Sequence, residues 1–232
     1  MTDRILTRLF TRALATSTRR QPALAVRPQG VGESKVVGLD PVRVLVIGSG
    51  VAVGFGVTDQ DDALTGHLAR AIAARSGRGA VVHNRARPRL PLDQAIDQLG
   101  ALGAHTYQVV VWCPSMFEII GSPANGRLGK AIRRAVPFLR ETAGGEVEIV
   151  LTGLPMPSTP GSLEGAARRL VPRFNRALAQ VCTELSATGV DVRFAAPPYF
   201  TSLRQPDALI SSYYLRLAET IVFAEAAGQP SV

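Results

Sequence analysis

The chain has 232 residues, 46% of them hydrophobic and 19% charged, with 26 Lys and Arg against 18 Asp and Glu. That length suits one α/β domain with a sizeable core; the apolar fraction excludes general disorder, and the absence of a run of ~18 apolar residues excludes an obvious membrane span. Two cysteines, Cys113 and Cys182, are too few for a disulfide scaffold, and the +8 charge, carried almost wholly by arginine, suits phosphate, an anionic membrane surface or an acidic partner without choosing among them.

The first forty residues stand apart. Ile5, Leu6, Leu9, Phe10, Ala13 and Leu14 recur at helical spacing, while Arg4, Arg8 and Arg12 fall on the opposite side. A helix of this kind over residues 3–20 either lies in an anionic lipid interface or packs on its own domain with its arginines solvated. The arginines interrupt any apolar core of a secretory signal, so the expected location is cytoplasmic, at most peripheral to a membrane. Residues 21–40, with Pro22, Pro28, Gly30, Gly32 and Gly38, read as a linker, and the globular domain is expected over 41–228.

From Pro41 onward, short apolar runs alternate with longer amphipathic stretches. Strands are predicted at 42–48, 79–84, 107–113, 147–153 and 190–196, each β-branched and almost continuously apolar, as strands buried on both faces must be. Helices are predicted near 62–76, 91–103, 123–142, 163–188 and 208–227, with Pro137 and Pro172 expected to kink or restart theirs. Strands alternating with helices imply right-handed crossovers and a three-layer α/β/α sandwich around a five-stranded parallel, flavodoxin-like sheet.

In such a sheet, ligands bind beyond the carboxyl ends of the strands. The residues that fall there are Gly48, Ser49 and Gly50; Asn84, Arg85 and Ala86; Pro114, Ser115, Met116 and Phe117; and the segment around Asp207 and Ile210 that leads into the last helix. Gly48-x-Gly50 after a strand invites a dinucleotide reading, with amides cradling a pyrophosphate and Arg85 and Arg87 facing a 2′-phosphate. The later glycines, Gly54 and Gly56, are off the required spacing, the next helix starts too far on, and no carboxylate ends the second predicted strand. No cofactor is therefore expected.

Residues 44–57 (VLVIGSGVAVGFGV) resemble the first block of the SGNH/GDSL hydrolases, in which an apolar strand runs into Gly-Asp-Ser and a glycine turn. The segment 149–178 resembles that family's fourth strand, proline-bearing loop and long helix, and 213–221 (YYLRLAETI) is similar to its final Tyr-x-x-x-Ala helix. The resemblance spans residues 41–225. It implies a domain that acts on lipid or carbohydrate esters through a serine, a histidine base with an aspartate three residues before it, and an oxyanion hole.

On this alignment the nucleophile position is Gly50, Ser49 stands where the family has aspartate, and Ala86 replaces the oxyanion glycine. No asparagine falls between Pro114 and Glu118; Asp207 matches the orienting aspartate, but Ile210 occupies the place of the histidine. The resemblance so amended implies a degenerate domain that binds a small molecule, a lipid or carbohydrate ester, or a protein. The alternative is an active ester hydrolase with a displaced nucleophile, Ser49 first, and a hydroxyl touching an imidazole at the rim of the sheet would overturn the binding-only reading. His67, His83 and His105 read as structural, Ser115, Asp207, Ser211 and Ser212 as loop or cap residues, and Cys113 as a buried thiol. Arg85, Arg87 and Arg89 form a cationic loop that either holds an anion or is simply solvated. The scattered histidines and cysteines give no metal-ligand spacing, and one Trp and four Tyr give no base-stacking platform for nucleic acid.

Overall fold

The computed structural model describes residues 26–29, 32–88, 90, 107–114, 127–142, 147–156, 162–198 and 207–223. The amphipathic stretch 3–20, the predicted helix 91–103, Arg89, His105, Ser115 and Phe117 lie outside the described residues.

Six strands form one sheet: β1 (Glu33–Val36), β2 (Val42–Gly48), β3 (Ala80–Asn84), β4 (Val109–Cys113), β5 (Glu148–Thr152) and β6 (Val192–Ala195). Four helices complete the described fold: α1 (Leu64–Ser76), α2 (Arg127–Thr142), α3 (Ser162–Ser186) and α4 (Asp207–Phe223). The spatial strand order is β1-β3-β2-β4-β5-β6, parallel throughout except for β1 against β3. The parallel strands thus follow the flavodoxin-like order, which reverses beside β2 and opens a crevice between the carboxyl ends of β2 and β4.

The alternation of strand side chains divides the core in two. Val44, Val46, Val82, Val111 and Val150 pack beneath Leu64 and Leu68 of α1 and Tyr213, Tyr214, Leu217 and Ile221 of α4. Leu45, Ile47, Val110, Trp112, Ile149 and Leu151 pack on the other face beneath Ile132 and Val136 of α2 and Leu178, Val181, Cys182 and Leu185 of α3. Both faces are covered, which is why the strands read as unbroken apolar runs.

Two expectations change. The sheet has six strands rather than five, because Glu33–Val36, inside the predicted linker, pairs antiparallel along β3 from Glu33↔His83 to Val36↔Ala80. Its sequence is ESKV, with Glu33 and Lys35 exposed and Ser34 buried against Asp61 (Oγ to Oδ1, 3.3 Å). A short, charged edge strand discourages pairing with other chains and carries no apolar signal for the same reason. Pro137 and Pro172 also lie inside α2 and α3 rather than restarting them.

Candidate functional site

The chain leaves β2 through a turn that only glycine makes without strain. Gly48 has φ +100° and Gly50 φ +61°, while Ser49 between them is extended. The Ser49 amide donates to the Cys113 carbonyl at 2.9 Å, and a Cβ on Gly48 would lie 2.2 Å from that same oxygen. The two strands flanking the crevice are therefore in backbone contact at its floor. Residues Gly50–Val53 then form a single 3-10 turn. Gly50 is half-buried and offers no nucleophile, and Ser49 is only 2% exposed. Burial pushes the neighbouring Cys113 thiol up to about 12, so no thiolate forms there near neutral pH.

Asn84, at the end of β3, holds the adjoining rim. Its Nδ2 donates to the Ala52 carbonyl at 2.7 Å and to Thr65 Oγ1 at 3.3 Å, and Thr65 passes the bond on to Gln60 Oε1 at 3.3 Å. Asn84 Oδ1 accepts from the Ala86 amide at 2.9 Å. The amide expected to face an oxyanion is thus spent on an Asx turn, in which asparagine bonds its own backbone two residues on.

Asp207 opens α4, and Ile210 follows in its first turn. Ile210 is 2% exposed and its Cδ1 packs so closely on Gly56 that a Cβ there would lie 2.6 Å away. The position that resembles the family's base is part of the hydrophobic core. The candidates therefore divide: Gly48, Ser49, Gly50, Asn84 and Ala86 surround the carboxyl ends of β2 and β3, whereas Ile210 packs beneath them.

One imidazole–hydroxyl contact does occur near the ends of helices that enter from this side of the sheet. His67 Nε2 in α1 lies 3.0 Å from Ser211 Oγ in α4, and His67 Nδ1 lies 3.0 Å from Arg70 Nη2. A guanidinium only donates, so Nδ1 must accept and the ring proton resides on Nε2. The imidazole then donates to the Ser211 hydroxyl, whereas a general base needs its lone pair there. Burial first, and Arg70 second, hold His67 below its ordinary value of 6.5. The folded chain thus refuses a proton that the unfolded chain accepts, so stability is full above about pH 6.5 and falls as the pH drops toward the folded value. In denaturant titrations between pH 7 and 5, His67→Gln should flatten this decline; a profile parallel to that of the wild type would refute the assignment.

A second contact, His83 Nδ1 to Tyr107 OH at 2.7 Å, is backed by Glu33 Oε2 at 3.2 Å from Nε2. Tyr107 precedes β4, at the end of the sheet away from the crevice, and is buried. This relay ties the edge strand β1 across β3 to the core and adjoins the site, since His83 precedes Asn84 and Arg85 acts on the Tyr107 hydroxyl.

Beside the Asn84 network, a cleft of about 460 Å³ opens between the β3 rim and the segment that precedes β1. Arg85 and Arg87 line it, as the basic loop in the sequence suggests, and Arg27 joins them from the predicted linker. In the sequence Arg27 adds only to the basic charge of the N-terminal arm, because an arginine beside Pro28 in a Pro- and Gly-containing stretch reads as linker. Thr65 carried no sequence signal, and Ser211 and Ser212, read as loop or cap residues, instead lie inside α4, where helix packing brings Ser211 to His67. Among the described residues no group of three or more His, Cys, Asp and Glu could hold a metal.

No known family model matches the chain, and no curated protein matches it. Its structure nevertheless aligns with that of the lipase Lip_vut3 from a goat rumen metagenome at a TM-score of 0.63 and 15% identity, over 80% of this chain and 98% of that one. TesA aligns at 0.56 and 18%, covering 77% and 95%, and Est24, a carbohydrate acetylesterase from Sinorhizobium meliloti, at 0.55 and 12%, covering 78% and 96%. The chain has the SGNH-hydrolase fold. Within that fold, the SGNH-like domain has the parallel order β3-β2-β4-β5-β6, a glycine turn after β2 and a final helix packed into the core. Among the described residues no helix is long and apolar enough to cross a membrane.

Proposed function

We propose that this SGNH-hydrolase-like domain binds its ligand without hydrolysing it. The observation that carries the reading is Ile210, buried in the core where the resemblance would put the base. Gly50 supplies no hydroxyl, and the Ala86 amide is engaged by Asn84. An alcohol without a proton acceptor, or an oxyanion without positioned donors, forfeits orders of magnitude in rate. The neighbours named as lipase and carbohydrate acetylesterase make a lipid or carbohydrate ester one ligand class for this pocket. The arginine-striped residues 3–20 fit attachment to an anionic membrane surface from the cytoplasmic side.

The second reading, an active ester hydrolase, draws on the His67–Ser211 contact, which replaces Ser49 with Ser211 as the nucleophile to test. Purified protein incubated with a p-nitrophenyl ester and a fluorophosphonate should show neither turnover nor labelling. Turnover or labelling that disappears in Ser211→Ala or Ser49→Ala would establish the hydrolase instead.

A further inference from the structure

We propose that the arginine-lined cleft beside β3 is a binding site for a phosphate ester; this rests on the binding reading above and names the ligand's chemistry. Three features of the cleft point the same way.

The first is its construction. The Arg85 amide donates to Val46 O at 2.8 Å and the Arg87 amide to Gly48 O at 2.9 Å, which continues the β2–β3 ladder past Asn84. The backbone of both residues is thereby fixed to β2, and both side chains line the cleft. The opposite wall is also pinned: the Gly56 amide donates to Val26 O at 3.0 Å, and the Asn84 amide to Gly32 O at 2.5 Å. The segment that carries Arg27 is therefore fastened to the rim by backbone hydrogen bonds, and Arg27 lines the same cleft as Arg85 and Arg87.

The second is charge. Arg27, Arg85 and Arg87 are exposed, and among the described residues no acidic side chain lines the cleft and none of the three guanidiniums has a carboxylate partner. By contrast, Arg78 pairs with Asp40, Arg133 with Glu184 and Arg193 with Glu148. Three unpaired cations around one concavity repel one another, and an anion in their midst removes that repulsion.

The third is fit. A carboxylate presents two oxygens in one plane and satisfies one guanidinium fork, whereas a phosphate monoester presents three oxygens in different directions and accepts forks from several sides. The volume, about 460 Å³, exceeds what a bare phosphate needs and suits a small organic ester. Gln29 and Gln60 lie on the lining and can bond the hydroxyls of such an ester. The phosphate is that of a soluble metabolite-sized ester or of a lipid headgroup, and the two sources differ in what else they bring.

Calorimetry on the full chain at constant ionic strength, titrating glycerol 3-phosphate, inorganic phosphate and acetate, tests the proposal. Sedimentation with vesicles of phosphatidylcholine, with and without phosphatidic acid, tests the lipid source. The two phosphates should bind at least about tenfold more tightly than acetate. Arg27→Ala, Arg85→Ala and Arg87→Ala should each weaken binding about tenfold, while Arg134→Ala on α2 should leave it unchanged, with circular dichroism confirming the fold of each variant. Binding of glycerol 3-phosphate without vesicle capture identifies a soluble ligand; capture that needs phosphatidic acid, Arg85 and Arg87 identifies a headgroup. Failure of both phosphates and vesicles to bind, equal affinity for acetate, or equal losses in Arg134→Ala would overturn the proposal. That failure would leave the non-hydrolytic reading standing, whereas ester turnover would remove that reading and leave phosphate capture intact.

Discussion

Gly48→Ala should lower the stability of the domain by about 4 kcal/mol, among the largest single-residue losses expected anywhere in the chain. At φ +100° an added side chain is strained, and conformations of this kind cost non-glycine residues about 1–3 kcal/mol. The new Cβ would also sit 2.2 Å from the Cys113 carbonyl oxygen, a backbone atom that no rotamer change can move. Relief requires parting β2 from β4, which breaks the bond from the Ser49 amide to Cys113 and withdraws the carbonyl that receives the Arg87 amide. For a domain of this size the thermal midpoint should fall by about 8–16 °C. A midpoint within 2–3 °C of the wild type, roughly what 1 kcal/mol costs, would show that the turn does not hold the strands in this way.

Ile210→His should also destabilise the domain, by about 3 kcal/mol, without creating esterase activity. The substitution puts two ring nitrogens into a cluster formed with Tyr213, Tyr214, Leu217 and Leu64, where desolvating an unpaired polar group costs about 1–3 kcal/mol beyond the lost aliphatic packing. The wider ring would also press on Gly56, which Ile210 Cδ1 already touches. Pairing the change with Gly50→Ser would restore two named residue types but no oxyanion donor, because Asn84 Oδ1 holds the Ala86 amide. Chemical denaturation of the single variant and ester turnover of the double variant are the measurements. Turnover by the double variant that neither single variant shows would establish that position 210 does reach the site.

Strand β2 was legible to the residue, and β3 to β6 within two residues at either end, because burial on both faces demands unbroken β-branched runs. Strand β1 was not: four residues reading ESKV belong to a sheet only because β3 offers an open edge to pair with. The helices starting at 64, 127, 162 and 207 were likewise visible in their periodicity. At the site, Gly50 and Ile210 could be read as substitutions along one alignment. What engages the Ala86 amide, and which ring nitrogen of His67 carries the proton, could not.

Local pattern and the identity of single side chains were enough for the layered α/β architecture and the glycine turn after the first parallel strand. That Arg27 lines one cleft with Arg85 and Arg87, and that Ser211 meets an imidazole whose other nitrogen faces Arg70, emerged from the folded arrangement alone. Such contacts join residues up to 144 positions apart, as between His67 and Ser211, and no local pattern encodes a hydrogen bond whose partners are brought together by packing alone.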